Sequence, residues 1–300
     1  MPSEGHFFGH PRGLATLFFT EMWERFSYYG MRGLLVLFMV EAVQSGGMGL
    51  TDGTAAAIYG MYTAGVYLFC LPGGWMADRL LGKRRAVFIG GMIIAAGHFS
   101  MAIPGAPFFF AGLILIVCGT GLLKPNVSAV VGDLYPEGGA RRDAGFSVFY
   151  MGINLGAFIG PLIVGYLGEN IGWHLGFSAA GIGMVLGLIQ YKLGDKYLGS
   201  AGLLSEEAQA RTGAGWRTFA LGIAVVAVIG AALFGLSSAG TLPLTLEGAA
   251  QATGVVIVAL AAIYFIVALL FFGLDGEEKK RVILIFLLFL GSAMFWSGFE

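Results

Sequence analysis

The fold class this sequence predicts is an all-α protein that crosses a membrane many times, and three observations predict it. Of the 300 residues, 57% are hydrophobic and 12% charged, against roughly 45 to 50% apolar and about 25% charged in soluble domains. The apolar residues gather in nine stretches, each near or above the roughly 20 residues an α-helix needs to cross a bilayer. Positive charge is concentrated in alternate connections between those stretches. Seventeen Lys and Arg against eighteen Asp and Glu leave a net charge of -1, so no global basic field exists to hold nucleic acid.

The first helix is expected over about 13 to 40. The residues before it, with Glu4, His6 and His10, lack the basic start and short apolar run of a cleaved signal peptide, so this helix is retained. Further helices follow over about 53 to 80, 85 to 104, 107 to 135, 142 to 168, 173 to 195, 216 to 238, 252 to 273 and 281 to 300. Turns and linkers separate them: Gly46-Gly47-Met48-Gly49, Pro104 to Pro107, Pro136-Glu137-Gly138-Gly139, and Gly199 to Gly215. Helix nine ends at Glu300 with no outer loop behind it, and the expectation is of a longer protein whose front part this is.

Charge then sets the orientation. Arg12, the group Arg79, Lys83, Arg84 and Arg85, the pair Arg141 and Arg142, the set Lys192, Lys196, Arg211 and Arg217, and the cluster Lys279, Lys280 and Arg281 occupy alternate connections. These are fourteen of the seventeen basic residues. Lys and Arg are retained on the cytoplasmic side during insertion, which predicts a cytoplasmic N-terminus. The other three cations, Arg25, Arg32 and Lys124, lie inside helices, as do Glu21, Glu24 and Glu300. Such charges face a bundle interior or a wet cavity and pair with one another.

At about 100° per residue, Glu21, Glu24, Arg25, Tyr28, Tyr29 and Arg32 fall within an arc of about 140° on helix one. Counting the helical rise from each end puts Lys124 near the depth of Glu24 and Arg25, and Arg32 near the depth of Glu300. Two clusters are therefore expected, Glu21, Glu24, Arg25 and Lys124 at one level and Arg32 with Glu300 nearer the outer face. A carboxylate between burial and a neighbouring cation can bind and release a proton, and a cation can hold a substrate carboxylate. The plainer alternative is that these pairs only hold helices in register.

The string Glu21-Met22-Trp23-Glu24-Arg25-Phe26-Ser27-Tyr28-Tyr29-Gly30 resembles the ExxERFxYYG motif of the proton-dependent oligopeptide transporter family, a branch of the major facilitator superfamily. Three further strings are similar to family signatures: Gly73-Gly74-Trp75-Met76-Ala77-Asp78-Arg79 with Gly82-Lys83-Arg84-Arg85, the run from Phe146 to Phe158, and Phe295-Trp296-Ser297-Gly298-Phe299-Glu300. The resemblance implies a major facilitator fold. It divides the chain into an N-terminal six-helix bundle at 1–198, a linker and two-helix insertion at 199–276, and the first helix of a C-terminal bundle at 277–300. Helices seven and eight carry no charge between Arg217 and Glu247 or between Glu247 and Asp275, which suits helices facing lipid.

The function implied is proton-coupled symport of di- and tripeptides by alternating access across the bacterial inner membrane, by a protein that works as a monomer. The proton is the coupling ion, and no cofactor or metal is called for. The resemblance gives proton coupling to Glu21, Glu24, Arg25, Lys124 and Glu300. It gives peptide binding to Arg25, Tyr28, Tyr29, Arg32, Tyr67, Lys124, Tyr150 and Asn154, with Tyr150 the looser match. Arg32 and Glu300 form the implied extracellular gate pair. The same fold carrying another anion, such as nitrate or an organic acid, is the alternative. A channel or membrane-embedded hydrolase is disfavoured, because no selectivity loop, metal-ligand pair or Ser and His constellation stands at membrane depth.

The remaining singular residues read as structural. Asp78 is expected to pair and cap at the end of helix two, and Pro125 to kink helix four. Gly152, Gly156, Gly160 and Gly165 are expected to permit close helix packing, and Cys70 and Cys118 to pack as small hydrophobes. His6, His10, His98 and His174 are expected to be satisfied or solvated.

Overall fold

The structure is a computed structural model that describes residues 7–239 and 245–299. It forms two compact units, Met1–Leu244 and Thr245–Glu300. The first contains α1 (Arg12–Val40), α2 (Asp52–Met76), α3 (Lys83–Met101), α4 (Ala106–Asp133), α5 (Gly139–Gly160), α6 (Tyr166–Asn170), α7 (Trp173–Gly194), α8 (Glu206–Ala210) and α9 (Thr212–Ser238). The second contains α10 (Leu246–Phe271) and α11 (Gly276–Phe299). Each of the nine apolar stretches forms a helix, those expected to end at 104, 135 and 273 stopping two or three residues sooner, and seven of the long helices are long and apolar enough to cross a membrane. The long helices outside that set are α1, which carries Glu21, Glu24, Arg25 and Arg32, and α3, which starts on Lys83, Arg84 and Arg85.

Local chemistry explains where boundaries depart from the hydropathy reading. Helix α11 begins at Gly276 rather than near 281, because Asp275 Oδ1 accepts hydrogen bonds from the N–H groups of Glu277 and Glu278, each at 2.8 Å. Glu278 Oε2 in turn accepts from the Asp275 N–H at 3.0 Å, closing a capping box. Thr245 caps α10 in the same manner through the Gly248 N–H, drawing its start forward to Leu246. The stretch expected as one helix from 142 to 168 is α5 and α6 joined by a π-helical turn at Pro161–Gly165, and a second π turn at Ala77–Leu81 follows α2. Pro125 and Pro72 both lie inside continuous helices.

Helix α1 packs between α5 and α7, while α4 packs against α2 and α3, and α3 reaches α7. Glycine makes the closest of these approaches. A Cβ at Gly90 would stand 2.6 Å from the Gly119 carbonyl oxygen and one at Gly119 the same distance from the Gly90 carbonyl oxygen. Gly97 and Gly112 repeat the arrangement two turns away, at 2.8 and 2.6 Å. On α5, a Cβ at Gly152 would stand 2.8 Å from the Phe18 carbonyl oxygen, and at Gly156 and Gly160 it would overlap the carbonyls of Met22 and Phe26. Gly165 does not share this role: it lies in the π turn, with nothing nearer than Glu169 at 3.9 Å.

One end of the first unit gathers the basic connections. Lys83 Nζ is 3.0 Å from Asp133 Oδ2, which also accepts from the Gly202 N–H at 3.2 Å. Arg84 donates from Nε to Asp195 Oδ1 at 3.1 Å and from Nη1 to the Gly199 carbonyl at 2.7 Å. Asp78 takes no part in these pairs: it is exposed at the π turn, and no ion pair holds it among the described residues. His10 Nδ1 and the Tyr135 hydroxyl lie 2.9 Å apart, and burial pushes the Tyr135 phenol up, holding it neutral.

Of the other singular residues, His174 Nδ1 meets the Met101 carbonyl oxygen at 3.0 Å. His98 is neither satisfied by protein nor solvent-exposed: it is fully buried, and neither ring nitrogen has a partner among the described residues. Cys70 and Cys118 are free and half-buried. No described side chain of α9 is buried. In the second unit, α10 and α11 meet through Phe265, whose ring centroid is 4.9 Å from that of Phe286.

Candidate functional site

Helix α1 brings Glu21 and Arg25 one turn apart on the same side. Arg25 Nε lies 3.1 Å from Glu21 Oε1 and also hydrogen-bonds Glu24 Oε2. Glu21, Glu24 and Arg25 are exposed by only 4%, 1% and 4%. Charges so deeply buried persist only when compensated, and one guanidinium between two carboxylates leaves this trio one negative charge in excess. The balancing charge comes from α4, where Lys124 lies within electrostatic reach of Glu21. Two carboxylates and two cations thus converge at one level of the bundle. Glu21 Oε2, Glu24 Oε1, Arg25 Nη2 and the Tyr62 hydroxyl have no protein partner among the described residues.

Aromatic faces line the same level. The Arg25 guanidinium carbon is 5.0 Å from the centroid of the buried Tyr28 ring and 5.9 Å from that of Tyr29. Lys124 is half-buried, with its ammonium 4.3 Å from the Tyr67 centroid. Such placements attract a cation to the ring face while leaving ammonium donors for another acceptor. Tyr67 is 58% exposed, so the cluster runs from a sealed carboxylate pair on α1 to an accessible cation and ring on α4 and α2.

Farther along α1, Arg32 Nε hydrogen-bonds the Tyr59 hydroxyl, and its guanidinium carbon is 5.4 Å from the Tyr59 centroid. Glu300 lies outside the described residues. On α5, Tyr150 and Asn154 are exposed, and Asn154 Nδ2 donates to the Tyr150 carbonyl at 3.0 Å. No hydrogen bond or ring contact joins these two to the Arg25 cluster among the described residues.

Sequence reasoning passed over Tyr59 and Tyr62. The available signal was their place on α2 with Tyr67: at about 100° per residue the three fall within an arc of about 140°, matching the polar aromatic arc of α1. Among the described residues no group of three His, Cys, Asp or Glu is arranged to hold a metal. The arrangement is suited to moving a proton onto a buried carboxylate and to gripping an anionic group beside it.

Comparison with known proteins supplies a context for this geometry. The sequence profile described as the POT family matches residues 84–300. The chain is 43% identical to the peptide transporter YePEPT of Yersinia enterocolitica, covering 100% of this chain and 60% of that protein. It is 39% identical to the di-/tripeptide transporter of Lactococcus lactis subsp. lactis, covering 98% of this chain and 60% of the relative. A crystal structure of a peptide transporter POT in complex with sulfate superposes with a TM-score of 0.86 at 48% identity, over 98% of this chain and 59% of that one. The chain spans about 60% of the length of the relatives it matches.

Proposed function

The chain belongs to the POT family, and from that premise we propose that it serves the proton-coupled symport of di- and tripeptides by alternating access. The observation that carries this reading is the convergence of buried Glu21, Glu24 and Arg25 with the accessible Lys124 and Tyr67. A proton on Glu21 or Glu24 changes what Arg25 and Lys124 must balance, so proton binding and the grip on a peptide carboxylate are tied through shared cations. Family members are transporters rather than enzymes, and the relatives' peptide substrates favour peptides over nitrate or an organic acid. The test is uptake of labelled dipeptide into proteoliposomes with and without an inward proton gradient. Acceleration by the gradient is expected; uptake indifferent to it overturns the symport reading.

Within this reading residues 1–198 form the first six-helix bundle, 199–276 the inserted pair with its linker, and 277–300 the helix that opens a second bundle. The protein works as a monomer in the bacterial inner membrane with its N-terminus cytoplasmic, the side to which Arg12, Lys83, Arg84 and Lys196 belong. Tyr28, Tyr29, Tyr67, Tyr150 and Asn154 line the peptide pocket. Asn154 spends its amide N–H on Tyr150, which leaves its carbonyl oxygen to accept from a peptide N–H. Asn154→Ala is expected to weaken dipeptide binding by about 0.5 to 1.5 kcal/mol, the value of one neutral hydrogen bond. Calorimetric titration checks it, and an unchanged affinity would place Asn154 outside the pocket.

Arg32 and Glu300 form the outer gate, closed while Glu300 is ionised and released when it takes a proton. Glu300→Gln imitates the protonated state. It is expected to lose proton-driven accumulation while retaining peptide exchange down a concentration gradient. Accumulation that persists in this variant assigns coupling to Glu21 and Glu24 instead.

A further inference from the structure

We propose that the cleft between α1 and α7, at the end where the basic connections gather, is a binding site for one anionic phospholipid. A groove of about 540 Å³ runs between the two helices, and Ala15, Phe19, Leu186, Ile189 and Leu193 form its apolar walls. Its α7 side continues the exposed apolar stripe of Ile182, Leu186, Ile189 and Leu193, which a bundle crossing a membrane turns to acyl chains. A second cavity of about 530 Å³ adjoins it and is more polar, with Pro11, Leu134, Gly199 and Ser200 on its walls. Arg12, Lys196 and Tyr197 line both.

Charge identifies the occupant. The Arg12 guanidinium carbon is 4.0 Å from the Tyr197 ring centroid and the Lys196 ammonium 5.1 Å from it, so the two cations lie within about 9 Å of each other around one ring. Neither has a carboxylate partner among the described residues. Asp133, which also lines the second cavity, is already taken by Lys83 and the Gly202 N–H. Two cations held together without a carboxylate partner among the described residues, at the junction of an apolar groove and a polar cavity, match a lipid in three parts. An acyl chain fills the groove, the phosphate sits between Arg12 and Lys196, and an uncharged polar headgroup enters the second cavity beside Ser200. Basic pockets between membrane helices are suited to anionic headgroups for this reason.

Native mass spectrometry of the full chain in detergent, titrated with phosphatidylglycerol, tests the site. One phosphatidylglycerol is expected to stay bound at concentrations at least tenfold below those needed for phosphatidylcholine. Arg12→Gln with Lys196→Gln should raise the required concentration by about thirtyfold, each cation contributing about fivefold. Lys279→Gln with Lys280→Gln, which removes two cations of the other unit, should change nothing. Ala15→Trp keeps both cations but fills the groove, and it too should expel the lipid. Equal retention of phosphatidylcholine, undiminished retention in either groove variant, or displacement by glycerol 3-phosphate at the lipid's own concentration overturns the proposal. That last outcome describes a site for free phosphate.

Discussion

Lys124→Ala is expected to fold like the parent yet to take up dipeptide under an inward proton gradient no faster than empty liposomes. Lys124 is half-buried and rests over Tyr67 rather than in a sealed ion pair, so its loss strands no buried hydrogen-bonding group. It does remove the accessible cation and leaves Glu21, Glu24 and Arg25 one charge out of balance, an excess that a proton on one of the two carboxylates cancels without unfolding. Arg25→Ala is expected to abolish uptake by a different route. Its guanidinium is shared by two carboxylates in a nearly dry setting, and removing one partner of a buried pair costs about 3 to 5 kcal/mol. Thermal unfolding in detergent beside the uptake assay separates the two cases. Near-parental uptake by Lys124→Ala removes it from the site, and equal losses of stability in both variants refute the difference drawn between them.

Gly156→Val is expected to prevent folding or to lower the unfolding temperature by many degrees. Its Cβ would overlap the Met22 carbonyl and approach Arg25 Cβ and the Phe26 nitrogen at 2.9 Å. Backbone atoms on a packed helix cannot step aside as a flexible side chain does, so the overpacking cost of roughly 1 to 3 kcal/mol is a lower bound here. The same damage falls on transport, since the displaced segment carries Arg25. Gly165→Val is the control, because its surroundings are open to 3.9 Å. Monodisperse yield and unfolding temperature measure both, and a Gly156→Val protein as stable as the control defeats the close-packing argument.

The sequence carried the helices well, because each needs a long apolar run and such a run is a property of composition. Their ends were less legible. The five-residue shift at α11 came from a cap made by Asp275 and Glu278, inside a charge cluster that hydropathy treats as loop. The π turns left no mark, since an extra residue per turn alters hydrogen bonding without altering which residues are apolar. At the site, Glu21, Glu24 and Arg25 were readable because they share one helix. The charge balance with Lys124 needed depth arithmetic across two helices, and Tyr59 was missed because its meeting with Arg32 depends on how α1 and α2 lie together. The glycine row of α5 was visible as a periodicity, but its partners are carbonyls of α1, and backbone atoms leave no trace in residue type.

Those backbone contacts have a mechanical meaning. Gly90 opposite Gly119 and Gly97 opposite Gly112 allow α3 and α4 one register, since sliding by a turn would drive larger side chains into a main chain. Gly73 against Gly121 ties α2 to α4 in the same way, and Gly152, Gly156 and Gly160 tie α5 to α1. The six long helices from α1 to α7 therefore have few internal degrees of freedom. They fall into two groups built like stiff levers, α1 with α5 and α7, and α2 with α3 and α4, whose broadest contact is where α3 meets α7. Between α1 and α2 the levers are joined by the Arg32–Tyr59 contact and by a buried apolar cluster that includes Leu35 and Phe38 of α1 with Ile58 and Tyr62 of α2, without a glycine lock. A side-chain contact of this kind can be exchanged for water as the levers part, whereas a glycine seam can only shear or hold. The carboxylates of α1 and the lysine of α4 stand on opposite levers, so any rotation at the α3–α7 contact would change the distance between charges.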